Sequence, residues 1–136
     1  MGDVTKKRNY SILLVDDDKF LLDIYSLKFK ECGSTVEAEP DSIKALERLR
    51  GGFKPNVILL DVIMPNMNGF DFLETVKKEN LAPGATIIIL SNQGQDEDLK
   101  KATDLGADGY IVKASAIPSE VLEKTLAYAD KKQTGK

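Results

Sequence analysis

The chain has 136 residues, a formal net charge of −3, a single cysteine and no histidine. That length suits one domain with a single core, and the weakly acidic charge gives no electrostatic footprint for nucleic-acid binding. The lone cysteine, Cys32, excludes an internal disulfide and fits a reducing compartment, while no apolar run is long enough to span a bilayer. We therefore predict a cytoplasmic protein that does not enter membranes, in which any histidine chemistry comes from a partner.

The amino-terminal half of the chain alternates twice between an apolar run and a helical pattern. Residues 10–15 and 35–39 are predicted strands, and the first is apolar almost throughout, as buried strands are. The helix between them has apolar residues at helical spacing, at Phe20, Leu21, Ile24 and Leu27. In the helix that follows, the spacing predicts a buried stripe of Ile43, Leu46 and Leu49.

The same alternation continues through the carboxyl-terminal half. Residues 57–60, 86–90 and 109–112 are predicted strands, and the middle one is β-branched at most positions. A helical pattern follows each of these strands, and the last one begins at Pro118, since proline is favoured in the first turn of a helix.

Five strands alternating with five helices predict an α/β domain with a parallel sheet and helices on both faces. We assign the domain to residues 10–130, with a flexible polar leader at 1–9 and a flexible polar tail at 131–136. In the doubly wound strand order 2-1-3-4-5, strands one and three lie side by side where the order reverses. Ligands of such sheets bind at that point, outside the carboxyl ends of the strands.

Polar residues stand at the carboxyl ends of four predicted strands. Asp16 and Asp17 follow the first, Asp61 the third, Ser91 the fourth and Lys113 the fifth. With the order 2-1-3-4-5 the three aspartates converge, and they cannot all stay ionised without a cation or a proton. Carboxylate ligands completed by water suit Mg²⁺. A carboxylate beside Mg²⁺ and a lysine can attack a phosphoryl group, and a neighbouring serine can sense the product.

Five fragments of the sequence, in this order, resemble the receiver domains of two-component response regulators, especially the stand-alone chemotaxis type. They are residues 12–17, 60–65, 68–69, 89–91 and 109–113. The resemblance covers nearly the whole chain and implies a flavodoxin-like fold with a five-stranded parallel sheet in the order 2-1-3-4-5.

The resemblance also implies roles for the acidic residues. Asp61 would accept a phosphoryl group from a phosphohistidine on a sensor histidine kinase or phosphotransfer protein. Asp17 would bind Mg²⁺ directly, and Asp16 would help, mostly through water. Asp61 itself and the backbone carbonyl of Ile63 would be the remaining protein ligands.

Three further residues are implied to hold the phosphoryl group and transmit the signal. Lys113 would pair with Asp61 and then with the phosphoryl group, Ser91 would donate a hydrogen bond to it, and Tyr110 would turn inward as Ser91 moves. A downstream protein would bind the face built from the fourth helix, the fifth strand and the fifth helix. The chain would be a monomer or weak dimer and no enzyme, beyond self-phosphorylation and slow self-dephosphorylation.

Two positions depart from the family pattern and are expected to modulate the site. The lysine is usually followed by a proline with a cis peptide bond, but here Ala114 follows, and a non-proline cis bond costs about 3–4 kcal/mol. We therefore expect a trans bond and a different loop. Asn92 stands where alanine or glycine is more usual, which predicts slower hydrolysis or slower use of small phosphodonors than in Asn92→Ala.

Two other functions remain open from the sequence. The pair Asp16 and Asp18 resembles the nucleophile motif of haloacid dehalogenase-type phosphatases, although Phe20 stands where that motif has threonine. The departures at Asn92 and Ala114 are compatible with a binding module that keeps the receiver fold but works without phosphorylation.

Overall fold

The computed structural model describes residues 9–62, 67–91, 96–113 and 116–134. One parallel sheet has the strand order β2-β1-β3-β4-β5, so the predicted fold is confirmed. The strands are β1 (Ser11–Val15), β2 (Thr35–Glu39), β3 (Val57–Asp61), β4 (Thr86–Ser91) and β5 (Gly109–Val112). The helices are α1 (Lys19–Glu31), α2 (Ser42–Arg50), α3 (Gly69–Lys78), α4 (Asp96–Asp104) and α5 (Pro118–Thr134).

The central strands β1, β3 and β4 are apolar along their middle residues, and helices cover both of their faces. Successive side chains of a strand point to opposite faces. On one face Leu13 and Ile58 pack against residues of α2 and α3, and on the other Ile12 and Leu59 pack against residues of α1 and α5. Among the described residues, no helix combines the length and the apolar character that a membrane crossing requires.

Side chains of the preceding residues cap the first three helices. Asp18 accepts hydrogen bonds from the backbone N–H groups of Phe20 and Leu21 at 3.1 and 3.2 Å, which fixes the start of α1 directly after the site residues. Asp41 and Asn68 cap α2 and α3 in the same way. Each cap satisfies a backbone donor that the helix itself leaves unpaired.

The buried residues of the first two helices are only partly those that the helical spacing of apolar residues picks out. Phe20 is 71% exposed and Leu27 is 60% exposed, while the face of α1 that packs on the sheet consists of Leu22, Tyr25 and Phe29. In α2, Leu46 and Leu49 are buried as predicted, together with Ala45, but Ile43 is 42% exposed. The sequence of α1 has apolar residues on both faces, so its periodicity alone did not determine which face is buried.

The last helix extends beyond the predicted end of the domain. α5 continues to Thr134, past residue 130, where the domain was predicted to end. Lys132 holds this end of the helix in place: its Nζ donates to the carbonyl oxygen of Ala85 at 2.8 Å and pairs with Asp108 Oδ2 at 3.0 Å. Two residues earlier, the Tyr10 hydroxyl donates to Asp130 at 2.5 Å.

Lys132→Met is expected to lower the free energy of unfolding by about 1 kcal/mol, because a half-buried hydrogen bond to Ala85 and an ion pair are lost together. Lys131→Met is the matched control, since the neighbouring lysine is exposed. Urea unfolding of both variants measures the difference. Equal stability of the two variants would show that the Lys132 contacts do not stabilise α5.

Candidate functional site

Strand register brings four chain segments to the same edge of the sheet. Val15 pairs with Leu60, so the residues that follow each of them, Asp16 and Asp61, lie side by side. Ser91 ends β4 and pairs with Val112, the last residue of β5. The carboxyl ends of β1, β3, β4 and β5 therefore lie at the same edge of the sheet, as the strand order predicts.

Three aspartates form a cluster at this edge. Carboxylate oxygens of Asp16, Asp17 and Asp61 all lie within 4.8 Å of one another. Asp16 and Asp61 are buried, with 3% and 5% of their surface exposed, whereas Asp17 is exposed. The cluster therefore has two buried carboxylates and one exposed carboxylate, that of Asp17, which a ligand can reach from solvent.

Lys113 lies between the two buried carboxylates. Its Nζ is 2.9 Å from Asp16 Oδ2 and 3.5 Å from Asp61 Oδ1, and only 9% of its side chain is exposed. Burial alone would lower the pKa of Lys113, but the contact with Asp16 and the charge of Asp61 outweigh burial, and the pKa is raised above its usual 10.5. Lys113 is therefore a fixed positive charge at neutral pH.

Asp61 is harder to ionise than an ordinary aspartate. Burial and the neighbouring charge of Asp16 raise its pKa from the ordinary value of 3.8 to about 6, although Lys113 opposes the change. The backbone N–H of Val62 also favours the ionised form, since it donates to Asp61 Oδ1 at 3.0 Å. One lysine and one backbone donor thus compensate the negative charge of the cluster only in part.

The donor set of the cluster fits a hard divalent cation such as Mg²⁺. All three candidate ligands are carboxylates, and the ammonium of Lys113 offers a single positive charge against them. Burial, and after it the neighbouring charge of Asp16, raise the pKa of Asp61. Asp16 Oδ2 is buried and touches Lys113, yet within the described residues it has no hydrogen bond of good geometry. Asp16, Asp17 and Asp61 are the residues that would hold the ion.

The sequence motif around Gly69 has a role that the spacing alone did not reveal. The backbone N–H of Gly69 donates to the carbonyl oxygen of Val62 at 2.7 Å. A Cβ atom at position 69 would lie 2.2 Å from the carbonyl oxygen of Asp61, far inside van der Waals contact. Only glycine allows α3 to begin this close to the candidate phosphoacceptor.

Tyr25 is a further residue near the site that sequence reasoning missed. It lies on the buried face of α1, and burial raises the pKa of its phenol, with Lys113 opposing the change. The neutral phenol contributes no charge to the cluster. The only sequence signal for Tyr25 was its place one helical turn before Phe29, and that spacing indicates a core residue as readily as a functional one.

A family model for the response regulator receiver domain matches residues 12–126. The chain belongs to the response regulator receiver domains. The match covers every described site residue, so the resemblance drawn from five short fragments is confirmed for the family.

Known relatives include both short and long proteins. The chemotaxis protein CheY of Halobacterium salinarum is 32% identical over 108 residues, which cover 79% of this chain and 88% of that protein. A DNA-binding transcriptional regulator of Synechocystis, RpaA, is 29% identical over 102 residues, and the matched part is only 42% of its length. A CheY-like receiver from Methanospirillum hungatei has a TM-score of 0.82 at 29% identity and covers 95% of this chain and 100% of that one.

Ser91 and Tyr110 of this receiver domain lie on the neighbouring strands β4 and β5. Ser91 is buried at the end of β4, and Tyr110, on β5, is partly buried. A cavity of about 330 Å³ lies beside Tyr110, between α4 and α5, with Leu99 and Tyr128 among its lining residues. Tyr110 therefore borders an open cavity at the β5 edge of the sheet.

Three residues predicted to take part in the receiver site lie outside the described residues. They are Ile63, whose backbone carbonyl is the predicted fourth ligand, and Asn92 and Ala114, the two departures from the family pattern. The prediction of a trans bond between Lys113 and Ala114 falls there as well. The position of Lys113 itself, next to that bond, is described and lies within the site.

Proposed function

We propose that this receiver domain accepts a phosphoryl group on Asp61 and acts as a phosphorylation-controlled switch of a two-component system. The observation that carries the proposal is the Asp61 carboxylate, buried beside Asp16 and contacted by Lys113 at 3.5 Å. A structural aspartate at a strand end needs neither a second buried carboxylate nor a buried lysine, whereas phosphoryl transfer uses both.

The proposed donor is a phosphohistidine on a sensor histidine kinase or phosphotransfer protein, since the chain itself has no histidine. Val62 and Lys113 both contact Asp61 Oδ1, which leaves Oδ2 as the attacking atom. A bond forms between Oδ2 and phosphorus while the phosphorus–nitrogen bond of the donor breaks, and the imidazole departs after taking up a proton. The products are an acyl phosphate on Asp61 and a neutral histidine on the partner.

The residues around Asp61 would share the work of holding the transferred group. Mg²⁺, when bound by Asp16, Asp17, Asp61 and the predicted Ile63 carbonyl, would neutralise charge on the phosphoryl oxygens. Lys113 would move its contact from Asp61 to a phosphoryl oxygen.

The added negative charge and bulk on Asp61 would then shift the surrounding packing. Ser91 would donate its hydroxyl proton to a phosphoryl oxygen, and Tyr110 would turn inward as the end of β4 moves. Two packings that differ by a few kcal/mol are enough for such a population shift. The face formed by α4, β5 and α5 would bind the downstream protein, and the chain would have no enzymatic activity beyond its own phosphorylation and slow dephosphorylation.

Incubation with Mg²⁺ and acetyl phosphate is expected to add one phosphoryl group to the wild-type protein, as measured by intact mass. Asp61→Asn should remove the adduct, because an amide cannot form the acyl phosphate. Asp71→Asn is the matched control, since Asp71 is an exposed aspartate on α3, and it should keep the adduct. An adduct retained in Asp61→Asn would overturn the proposal.

A wild-type protein that neither acetyl phosphate nor a phosphoramidate can label would instead favour a receiver fold that works without phosphorylation. The haloacid dehalogenase alternative is set aside, because the matched family is that of receiver domains.

A further inference from the structure

Three hydrogen bonds fix the chain where it enters α3. The Ser42 hydroxyl donates to the carbonyl oxygen of Met67 at 2.6 Å, and Asn68 caps the helix. The Gly69 N–H returns to the carbonyl oxygen of Val62 at 2.7 Å. The carbonyl groups of Val62 and Met67 therefore each accept one of these hydrogen bonds.

Among the donors and caps at the start of α3, Ser42 differs because it belongs to another helix, α2. It is the first residue of α2, and it is completely buried. Its hydroxyl does not cap its own helix, since Asp41 accepts the backbone N–H of Ile43 at 2.9 Å. The Ser42 hydroxyl instead ties α2 to the end of the loop between β3 and α3.

The tie at Met67 is close enough to affect Asp61. Gly69 lies two residues further on, and its Cα packs so tightly against the Asp61 carbonyl that an added Cβ would be 2.2 Å away. The peptide between Asp61 and Val62 carries the N–H that holds Asp61 Oδ1 at 3.0 Å. We expect a shift of the chain at Met67 to act through Gly69 on the peptide between Asp61 and Val62, and thereby on the orientation of the Asp61 carboxylate.

We propose that Ser42 is a positioning residue of the phosphorylation site, which sets the geometry of Asp61 by holding the carbonyl of Met67. This inference rests on the proposed phosphorylation of Asp61, but it makes a separate statement about metal binding. Without the hydroxyl, the Met67 carbonyl loses its buried donor and the chain can move away from α2. The same motion would disturb Mg²⁺ ligation through Asp61, because partners that orient a metal ligand affect affinity without touching the ion.

The test compares Ser42→Ala with Ser42→Thr, which keeps a hydroxyl donor, and with Thr75→Ala. Thr75 is the matched control because its hydroxyl also donates to a backbone carbonyl, that of Asp71 at 2.9 Å, but within α3 alone. Mg²⁺ affinity is measured by isothermal titration calorimetry without any phosphodonor, at a temperature where melting curves show each variant folded. The Val62 and Gly69 amide signals are followed by NMR, and labelling by acetyl phosphate is measured separately.

Ser42→Ala is expected to weaken Mg²⁺ binding about tenfold and to slow labelling by a similar factor. It should also move the Val62 and Gly69 amide signals, whereas Ser42→Thr restores affinity and Thr75→Ala changes neither. If Ser42→Ala is unfolded, Ser42→Cys takes its place, because a thiol is similar in size but a weak donor. The inference would be overturned if Ser42→Ala, or Ser42→Cys in its place, had the Mg²⁺ affinity and the amide signals of the wild type. If Ser42→Ala binds Mg²⁺ more weakly but the wild type is never labelled by acetyl phosphate, the positioning role is supported and the proposed phosphorylation fails.

Discussion

Asp61→Asn is expected to raise the free energy of unfolding of the magnesium-free protein by roughly 3 kcal/mol at pH 7. The ionised carboxylate of Asp61 is buried next to Asp16, and the pKa of Asp61 is raised to about 6 for that reason. The wild-type fold therefore carries an unfavourable charge at neutral pH, which the unfolded chain does not. The neutral amide of asparagine has a similar shape and removes that charge.

The pH dependence of this effect follows from the direction of the shift. The pKa of Asp61 is about 6 in the folded protein and near its ordinary value of 3.8 in the unfolded chain. Between these values the folded state binds more protons, so the contribution of Asp61 to stability falls as the pH rises from about 4 to about 6. The advantage of Asp61→Asn should be complete above about pH 6 and absent below about pH 4.

Thermal melts at several pH values in the presence of a chelator measure this difference, which corresponds to about 10 °C at pH 7. Asp23→Asn is the control, since Asp23 is an exposed aspartate on α1. Added Mg²⁺ should stabilise the wild type more than Asp61→Asn, because a ligand stabilises the state that binds it. A variant no more stable than the wild type at pH 7 would contradict an unfavourable charge on Asp61.

The strand order and the convergence of polar residues were predictable because both follow from simple periodic patterns. Apolar runs such as residues 57–60 have no polar face, which requires helices on both sides of a parallel sheet. Once the order is fixed, the register decides which residues share an edge, and Asp16 and Asp61 become neighbours through the pairing of Val15 with Leu60.

Helix faces and tertiary hydrogen bonds were not predictable in the same way. Phe20 and Tyr25 are both apolar enough to be buried, and only the packing of α1 against the sheet and α5 decides that Tyr25 is inside. Ser42 gives no signal in the sequence, because a serine next to Asp41 looks like part of a helix cap. Its role depends on Met67, which is 25 residues away along the chain.

The position of Lys113 follows from the register of β5. The residue after it is not the proline that is usual in the family, and the sequence therefore predicts a different loop there. Lys113 nevertheless lies between Asp16 and Asp61, because β5 runs in register with β4 up to Val112 and delivers the next residue to the site. The register of the strand is therefore sufficient to place the lysine.

Gly69→Ala is expected to lower the free energy of unfolding by about 2–3 kcal/mol and to impair the site at the same time. The added methyl group would lie 2.2 Å from the carbonyl oxygen of Asp61 and 2.9 Å from the Cα of Val62. Both are backbone atoms, so no side chain can rotate away to make room. The start of α3 must move outward, which breaks the hydrogen bond from Gly69 to Val62 and tilts the peptide that holds Asp61 Oδ1.

Urea unfolding and labelling by acetyl phosphate measure the two consequences of Gly69→Ala separately. Gly51→Ala is the matched control: φ at that position is −80°, and the nearest atom to an added Cβ is the Glu47 carbonyl oxygen at 3.2 Å. Its stability should change by no more than about 1 kcal/mol, with labelling unaffected. Because the clash is with the backbone of Asp61 itself, labelling of Gly69→Ala should remain slow even under conditions where the variant is fully folded. Normal labelling of the folded variant would mean that α3 can shift without moving Asp61, and that Gly69 serves stability alone.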